Sequence, residues 1–270
     1  MDEDRLSISA DELYQHLGSA SAPIIVDVRH TPAVAADDRM VVGALRCPTD
    51  DFAAWHHNRE NDRLVVVYCV HGHEVSQGAA ETLRRMGIDG RYLTGGIAAW
   101  VEQGLPTRRK IGDAHRQWVT RERPKIDRVA CPWLIRRFID PQAEFLYVPT
   151  ESVFAVAAET GATAYDIPGA EPFSHDGEFC SFDAFLKIYG IADPALDRLA
   201  LIVRGADTGR LDLTPQSPGL LAITLGLSGN CAEDDNAMLA RSMEIYDSLY
   251  AWCRSHQHET HNWTPPPASA

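Results

Sequence analysis

The stretch VVVYCVHGHEVSQGAAETLRRMG, residues 65–87, sets one cysteine, Cys69, between an apolar β-branched run and a helical pattern closed by Gly87. An unbroken apolar run of this kind reads as a strand buried on both faces of a parallel sheet, and a glycine just past the last turn is a common helix stop. In such sheets ligands bind outside the carboxyl ends of the strands. Cys69 ends one strand and precedes a helix whose N-terminal N–H groups favour anions, so its thiol is expected to be shifted toward thiolate, the nucleophilic form.

The same rhythm extends on both sides. ISADELYQHLG (8–18) opens a short amphipathic helix with Ser9 as cap and Glu12 three places on, and PIIVDVR (23–29) is a second buried run. After a broken segment through Val41, Val42 and Gly43, DDFAAWHHNRE (50–60) reads as helical; beyond the opening stretch come the strand RYLTGG (91–96) and the helix GIAAWVEQG (96–104). Alternating strands and helices predict an α/β domain, a doubly wound parallel sheet with helices on both faces. The chain has 270 residues. That exceeds the ~100–200 of one domain, so two domains are expected, each with its own core.

Composition excludes several classes. Hydrophobic residues make up 45% and charged residues 23% of the chain, and the formal net charge is −13. No apolar run reaches the ~20 residues of a membrane span, and residues 1–20 lack a secretory signal, so a cytoplasmic location without membrane partners is expected. The acidic balance argues against nucleic acid as a partner. Six cysteines are spread singly with no C-x-x-C pair, which suggests neither a disulfide framework nor a zinc knuckle. Between Arg108 and Arg137 ten basic residues face three acidic ones, a local +7 that marks either a solvated junction or an anion site.

The residues Asp27-Val28-Arg29, Tyr68-Cys69 at a strand end, Gly72 in the following turn and Gly95-Gly96-Ile97-Ala98-Ala99-Trp100 together resemble a single-domain rhodanese over about residues 5–106. The resemblance implies a rhodanese-type sulfurtransferase with a persulfide on Cys69. It also implies substrate contacts from His71, Gly72, His73, Glu74 and Val75, with Asp27 and Arg29, a small sulfur donor, and a thiol or cyanide-like acceptor. The turn separates related chemistries. A cysteine phosphatase would want arginine six places after the cysteine to clamp phosphate, and Val75 stands there. Glu74 would repel a dianionic donor, which disfavours thiosulfate.

From about residue 117 the pattern becomes mainly α-helical, with one β-like run, AEFLYVP (143–149), and Pro132 in the first turn of a helix over 130–139. The division expected is a domain over 1–106, a basic linker over 107–116, a second domain over 117–264 and a disordered tail over 265–270. IDRVACPWLIRRFIDPQAEFLYVP, His175 ahead of Cys180-Ser181-Phe182-Asp183, IVRGADTG and YDSLYAWC look like the C-terminal domain of chromate-resistance B proteins over residues 117–255. That resemblance implies a link to chromate or a related oxyanion. Arg128, Arg136 and Arg137 suit two-pronged oxyanion binding. His175, Glu178 and Asp207, with Cys180 and Asp234-Asp235 nearby in the pattern, mix imidazole and carboxylate as a divalent-metal or iron site would. The first half calls for no cofactor. The alternative to a sulfurtransferase is an oxyanion- or metal-binding sensor with a redox-sensitive, non-catalytic rhodanese module.

Overall fold

The computed structural model describes residues 6–48, 63–110, 116–232 and 234–260. The segment 50–60 expected to be helical and the tail 265–270 lie outside the described residues.

The first half alternates strand and helix: β1 (Ser7–Ile8), α1 (Ala10–His16), β2 (Ile24–Asp27), α2 (Thr31–Ala36), β3 (Arg39–Val41), β4 (Leu45–Arg46), β5 (Val65–Tyr68), α3 (Glu74–Arg85), β6 (Gly90–Leu93) and α4 (Gly96–Glu102). Five strands form a parallel sheet in the order β1-β6-β5-β2-β4. Successive side chains leave a strand on opposite faces. Accordingly Ile24, Val26, Val65 and Val67 pack with Ala80 and Leu83 of α3 on one face. Ile25, Val66 and Tyr68 pack with Leu13 of α1 and Trp100 of α4 on the other. Ser9 caps α1, its Oγ accepting from Glu12 N at 3.2 Å.

The second half comprises β7 (Thr107–Arg109), β8 (Gln117–Arg121), α5 (Asp127–Leu134), a π-turn over Ile135–Ile139, β9 (Glu144–Val148), α6 (Val153–Thr160), β10 (Thr163–Ala164), α7 (Ser181–Tyr189), α8 (Pro194–Asp207), α9 (Ser217–Asn230) and α10 (Asp235–Ala251). It is mainly helical, but its single expected β run is one of three parallel strands in the order β10-β8-β9. Two of these were hidden in the sequence because a strand of two residues has no period to read, and Gln117–Arg121 becomes a strand only by pairing with β9. Part of the expected linker is also ordered: β7 pairs antiparallel with β3, and Arg108 is buried.

The helix expected over 130–139 begins three residues earlier, at Asp127, so Pro132 falls inside it rather than in its first turn. A proline there leaves the carbonyl four residues back without its helical donor. Tyr165 supplies one, its hydroxyl donating to Arg128 O at 3.2 Å.

Each half has a hydrophobic cluster of its own, around Val26 and Leu83 in the first and around Val119 and Val153 in the second. A third, larger cluster joins Ile8, Leu13, Met40, Val41 and Trp100 of the first half to Trp133, Phe138, Leu199, Tyr246 and Tyr250 of the second. Polar contacts follow the same seam. Gly43 N donates to Phe138 O at 2.7 Å. The hydroxyls of Tyr14 and Tyr250 both donate to Asp193 Oδ2, at 3.1 and 2.9 Å. Arg254, past α10, donates to the carbonyls of Tyr14, Gln15 and Leu17, satisfying the open end of α1. No helix among the described residues is long and apolar enough to cross a membrane.

Candidate functional site

Cys69 follows directly on β5, whose four residues are all buried, and the turn Val70–His73 leads into α3. The turn is held from below by the start of α4: Ile97 N donates to Cys69 O and Ala98 N to Val70 O, both at 3.0 Å. Glycine is required where these loops meet. Gly72 has φ +72°, and a Cβ on it would lie 2.6 Å from Leu93 O; a Cβ on Gly96 would lie 2.5 Å from Cys69 O. The turn after Cys69 is thereby held tightly against the Gly95–Gly96 loop.

Cys69 is 7% exposed yet joins none of the hydrophobic clusters. Its Sγ lies 3.2 Å from the buried hydroxyl of Ser76, which also approaches His73 O at 3.1 Å. Burial opposes ionisation, but the Ser76 hydroxyl and the main-chain N–H groups of His71, Ser76 and His73 outweigh it and draw the thiol below its ordinary value. Burial has the opposite net effect elsewhere, pushing Cys253 up to about 11 and raising Cys131 and Cys180 well above normal. Because a lowered pKa keeps the thiolate populated at lower pH, alkylation of Cys69 by iodoacetamide should set in at a lower pH than for free cysteine and precede that of the other thiols. Ser76→Ala should reverse this. Loss of the Ser76 hydrogen bond removes a contact that favours the anion, so the variant should hold less thiolate at neutral pH and alkylate more slowly. An unchanged pH profile for the alanine variant would show that Ser76 does not act on the sulfur.

The remaining residues expected around Cys69 divide into two groups. His71 and His73 are exposed, their rings 5.8 Å apart; Glu74 is exposed at the first position of α3, and Val75 is half-buried against the α3-side core. Asp27 and Arg29, expected among the substrate contacts, are instead a buried two-pronged pair, with Nη2 of Arg29 2.6 Å from Oδ2 of Asp27 and donating to Arg39 O at 2.8 Å. They brace the end of β2 against β3, and at 0 and 2% exposure neither reaches solvent.

A second cluster lies in the C-terminal half. His175 Nε2 is 3.3 Å from Asp166 Oδ1, 3.3 Å from Asp207 Oδ2 and 3.6 Å from Asp127 Oδ2. Donation to the Asp166 and Asp207 carboxylates, which favours the charged ring, raises the imidazole to about 10. Asp127, at the start of α5, is wholly buried and accepts from Ser181 N at 2.7 Å, Phe182 N at 3.1 Å and the Cys131 thiol at 3.1 Å. Burial, with Asp166 and Asp207 nearby, pushes its carboxyl well above the usual range. Burial also works against ionised Asp166, but His175, Ser181, Arg121 and Arg128 hold it below its ordinary value. Ser181 is thus occupied as a donor to Asp166, and Cys180 stands at the N-cap of α7.

His175 and Asp207 come together, and Glu178 does not join them. It is exposed in a tight turn closed by Asp176 N to Phe179 O at 3.0 Å. Asp127 and Asp166 were missed. The available signal was a lone carboxylate among Ile126, Val129 and Ala130, since a charge carried into an apolar setting needs partners.

The three arginines do not form a common oxyanion seat. Arg136 donates to Ala143 O and covers the Phe145 ring at 5.0 Å. Arg137 grips Asp247 through two hydrogen bonds of 2.8 and 2.9 Å. Arg128 lies 3.4 Å from Asp166 and donates to the carbonyls of Arg121 and Glu122. The local +7 is neutralised in part by carboxylates that arrive from later in the chain.

Sheet order, glycine-stapled turn and strand-end cysteine define the first half as a rhodanese-like domain, and the family of that description matches residues 9–103. The family described as "ChrB, C-terminal domain" matches residues 118–253, half of the chain, and the protein belongs to it. A similar curated protein is Protein ChrB of Cupriavidus metallidurans, 36% identical over 159 residues, covering 58% of this chain and 47% of the relative. The chain thus spans about half the length of that relative. Among solved structures, a rhodanese-related protein from Thermoplasma volcanium is 28% identical, covering 37% of this chain and 95% of that one with a TM-score of 0.33. A rhodanese-like domain protein from Staphylococcus aureus is 29% identical, covering 35% and 89% with a TM-score of 0.32.

Proposed function

We propose that the protein is a sulfurtransferase that carries sulfane sulfur as a persulfide on Cys69 and serves resistance to chromate or a related oxyanion through its C-terminal half. The observation that supports this most is the Cys69 sulfur set against the Ser76 hydroxyl and the N–H groups of His71, His73 and Ser76, a cradle suited to a sulfur anion. In the first half-reaction the Cys69 thiolate attacks the outer sulfur of a donor R–S–SH. The donor's S–S bond breaks, R–SH leaves with the proton, and Cys69–S–S⁻ remains. In the second, an acceptor such as cyanide attacks the outer sulfur, thiocyanate departs and the Cys69 thiolate is restored. The same cradle favours both anions, so the sulfur moves without a change in net charge at the site.

Exposed Glu74 at the turn favours a small-thiol persulfide over dianionic thiosulfate, because a carboxylate near the entrance repels the more highly charged donor more strongly. The expected result with purified protein is a gain of one sulfur on the Cys69 peptide by mass spectrometry, faster with glutathione persulfide than with thiosulfate. No added sulfur with either donor would refute the activity.

A further inference from the structure

The cluster in the C-terminal half stands apart from Cys69, and its donors come from four separate places: Asp127 from the first turn of α5, Asp166 from the loop after β10, His175 from the loop before α7 and Asp207 from the end of α8. Among the described residues, Asp127, His175 and Asp207 each offer a ligand atom, all within 4.8 Å of one another. The spacing decides between two readings of this group. An imidazolium that simply neutralised a carboxylate would form a charge-assisted hydrogen bond of about 2.7–2.9 Å. His175 Nε2 instead stands 3.3, 3.3 and 3.6 Å from three carboxylate oxygens, shared among them at long hydrogen-bond range rather than seated on one. Ligands about 2.0–2.2 Å from a shared metal ion lie about 3.0–3.6 Å from one another along the edges of its coordination polyhedron. The three separations from His175 fall in that range.

The surroundings match an outer shell. The Ser181 and Phe182 amides and the Cys131 thiol fix both oxygens of Asp127. Arg121 and Arg128 hold the far oxygen of Asp166 at 3.0 and 3.4 Å, and Ser181 holds its near oxygen at 2.8 Å. Such contacts orient ligands before an ion arrives. On the His175 side the cluster borders a cleft of about 1180 Å³ whose walls include Ser174, Phe179, Asp183 and Arg204.

We infer that Asp127, His175 and Asp207, with Asp166 beside them, form a binding site for one first-row divalent cation, accessible from this cleft. One imidazole with a carboxylate-rich remainder suits manganese, iron or zinc, while the imidazole disfavours calcium and magnesium. The inference does not depend on sulfur transfer at Cys69.

The test uses the full chain, stripped with a chelator and dialysed against Mn²⁺ or Zn²⁺. One equivalent per chain is expected, with a rise in thermal midpoint as the ion is added, because a ligand that binds only the folded state stabilises it. His175→Ala and Asp207→Asn, both at accessible positions, should each lose more affinity than the roughly 10–100-fold typical of outer-shell changes, and Glu178→Gln should bind like the parent. Circular dichroism establishes that each variant is folded. Substoichiometric uptake by the parent at millimolar metal would overturn the site, as would unaltered binding by both variants or loss of binding in Glu178→Gln.

Discussion

Exchanging Cys69 for serine should lower persulfide formation and sulfur transfer by at least about 10³-fold, more than ~4 kcal/mol in activation free energy. The carrier step requires an S–S bond, and a serine hydroxyl, un-ionised at neutral pH, can neither attack the donor sulfur efficiently nor release it to an acceptor. The fold should be untouched. Serine is slightly smaller, the site is 7% exposed, and Ser76 at 3.2 Å can hydrogen-bond an oxygen as well as a sulfur. A thermal midpoint close to the parent's, combined with absent sulfur loading, is the expected pair of results. Loading of the serine variant at the parent rate would place the nucleophile elsewhere.

Trp133→Ala should destabilise both halves together by about 3–5 kcal/mol, the range for removing a fully buried large aromatic side chain. Trp133 sits among Phe138, Phe182, Tyr246 and Tyr250 at ring separations of 5.5, 6.4, 6.1 and 5.9 Å, and its Nε1 donates to Asp247 at 2.7 Å. Tyr250 carries the effect into the first half. Its ring lies so close to Gly18 that a Cβ there would be 2.2 Å away, and its hydroxyl shares Asp193 with Tyr14. The measurement is denaturant unfolding followed in parallel by far-UV dichroism and by labelling of Cys69. The shared core predicts coincident transitions that shift together in the variant. A Cys69 transition that stays in place while the dichroism moves would show that the halves unfold independently.

The first half was legible because its chemistry is local. A β-branched run, a turn glycine and a capped helix each lie within a few residues of one another, and consecutive strands and helices of such a domain pack as neighbours. Cys69, Ser9 as cap and the α4 start at Gly96 could therefore be read from the chain. Ser76 was not singled out, although it follows Cys69 by seven residues. A serine in the first turn of a helix looks like any other until its distance to the sulfur is known.

The alternation of apolar runs with helical periods was sufficient to settle the class of fold and to put Cys69 at a strand end, because those patterns report which residues leave water. Which partner each buried group meets is a matter of long-range closure, and no period records it. Asp127 and Asp207 stand 80 positions apart in the chain, and Arg137 finds Asp247 across 110. The common core around Trp133 arises in the same way, since an apolar face shows that it must be covered and leaves open what covers it. Only the folded chain, by bringing α5, α7 and α8 together, decides that one hydrophobic cluster draws on both sequence regions and that four distant side chains converge on one point.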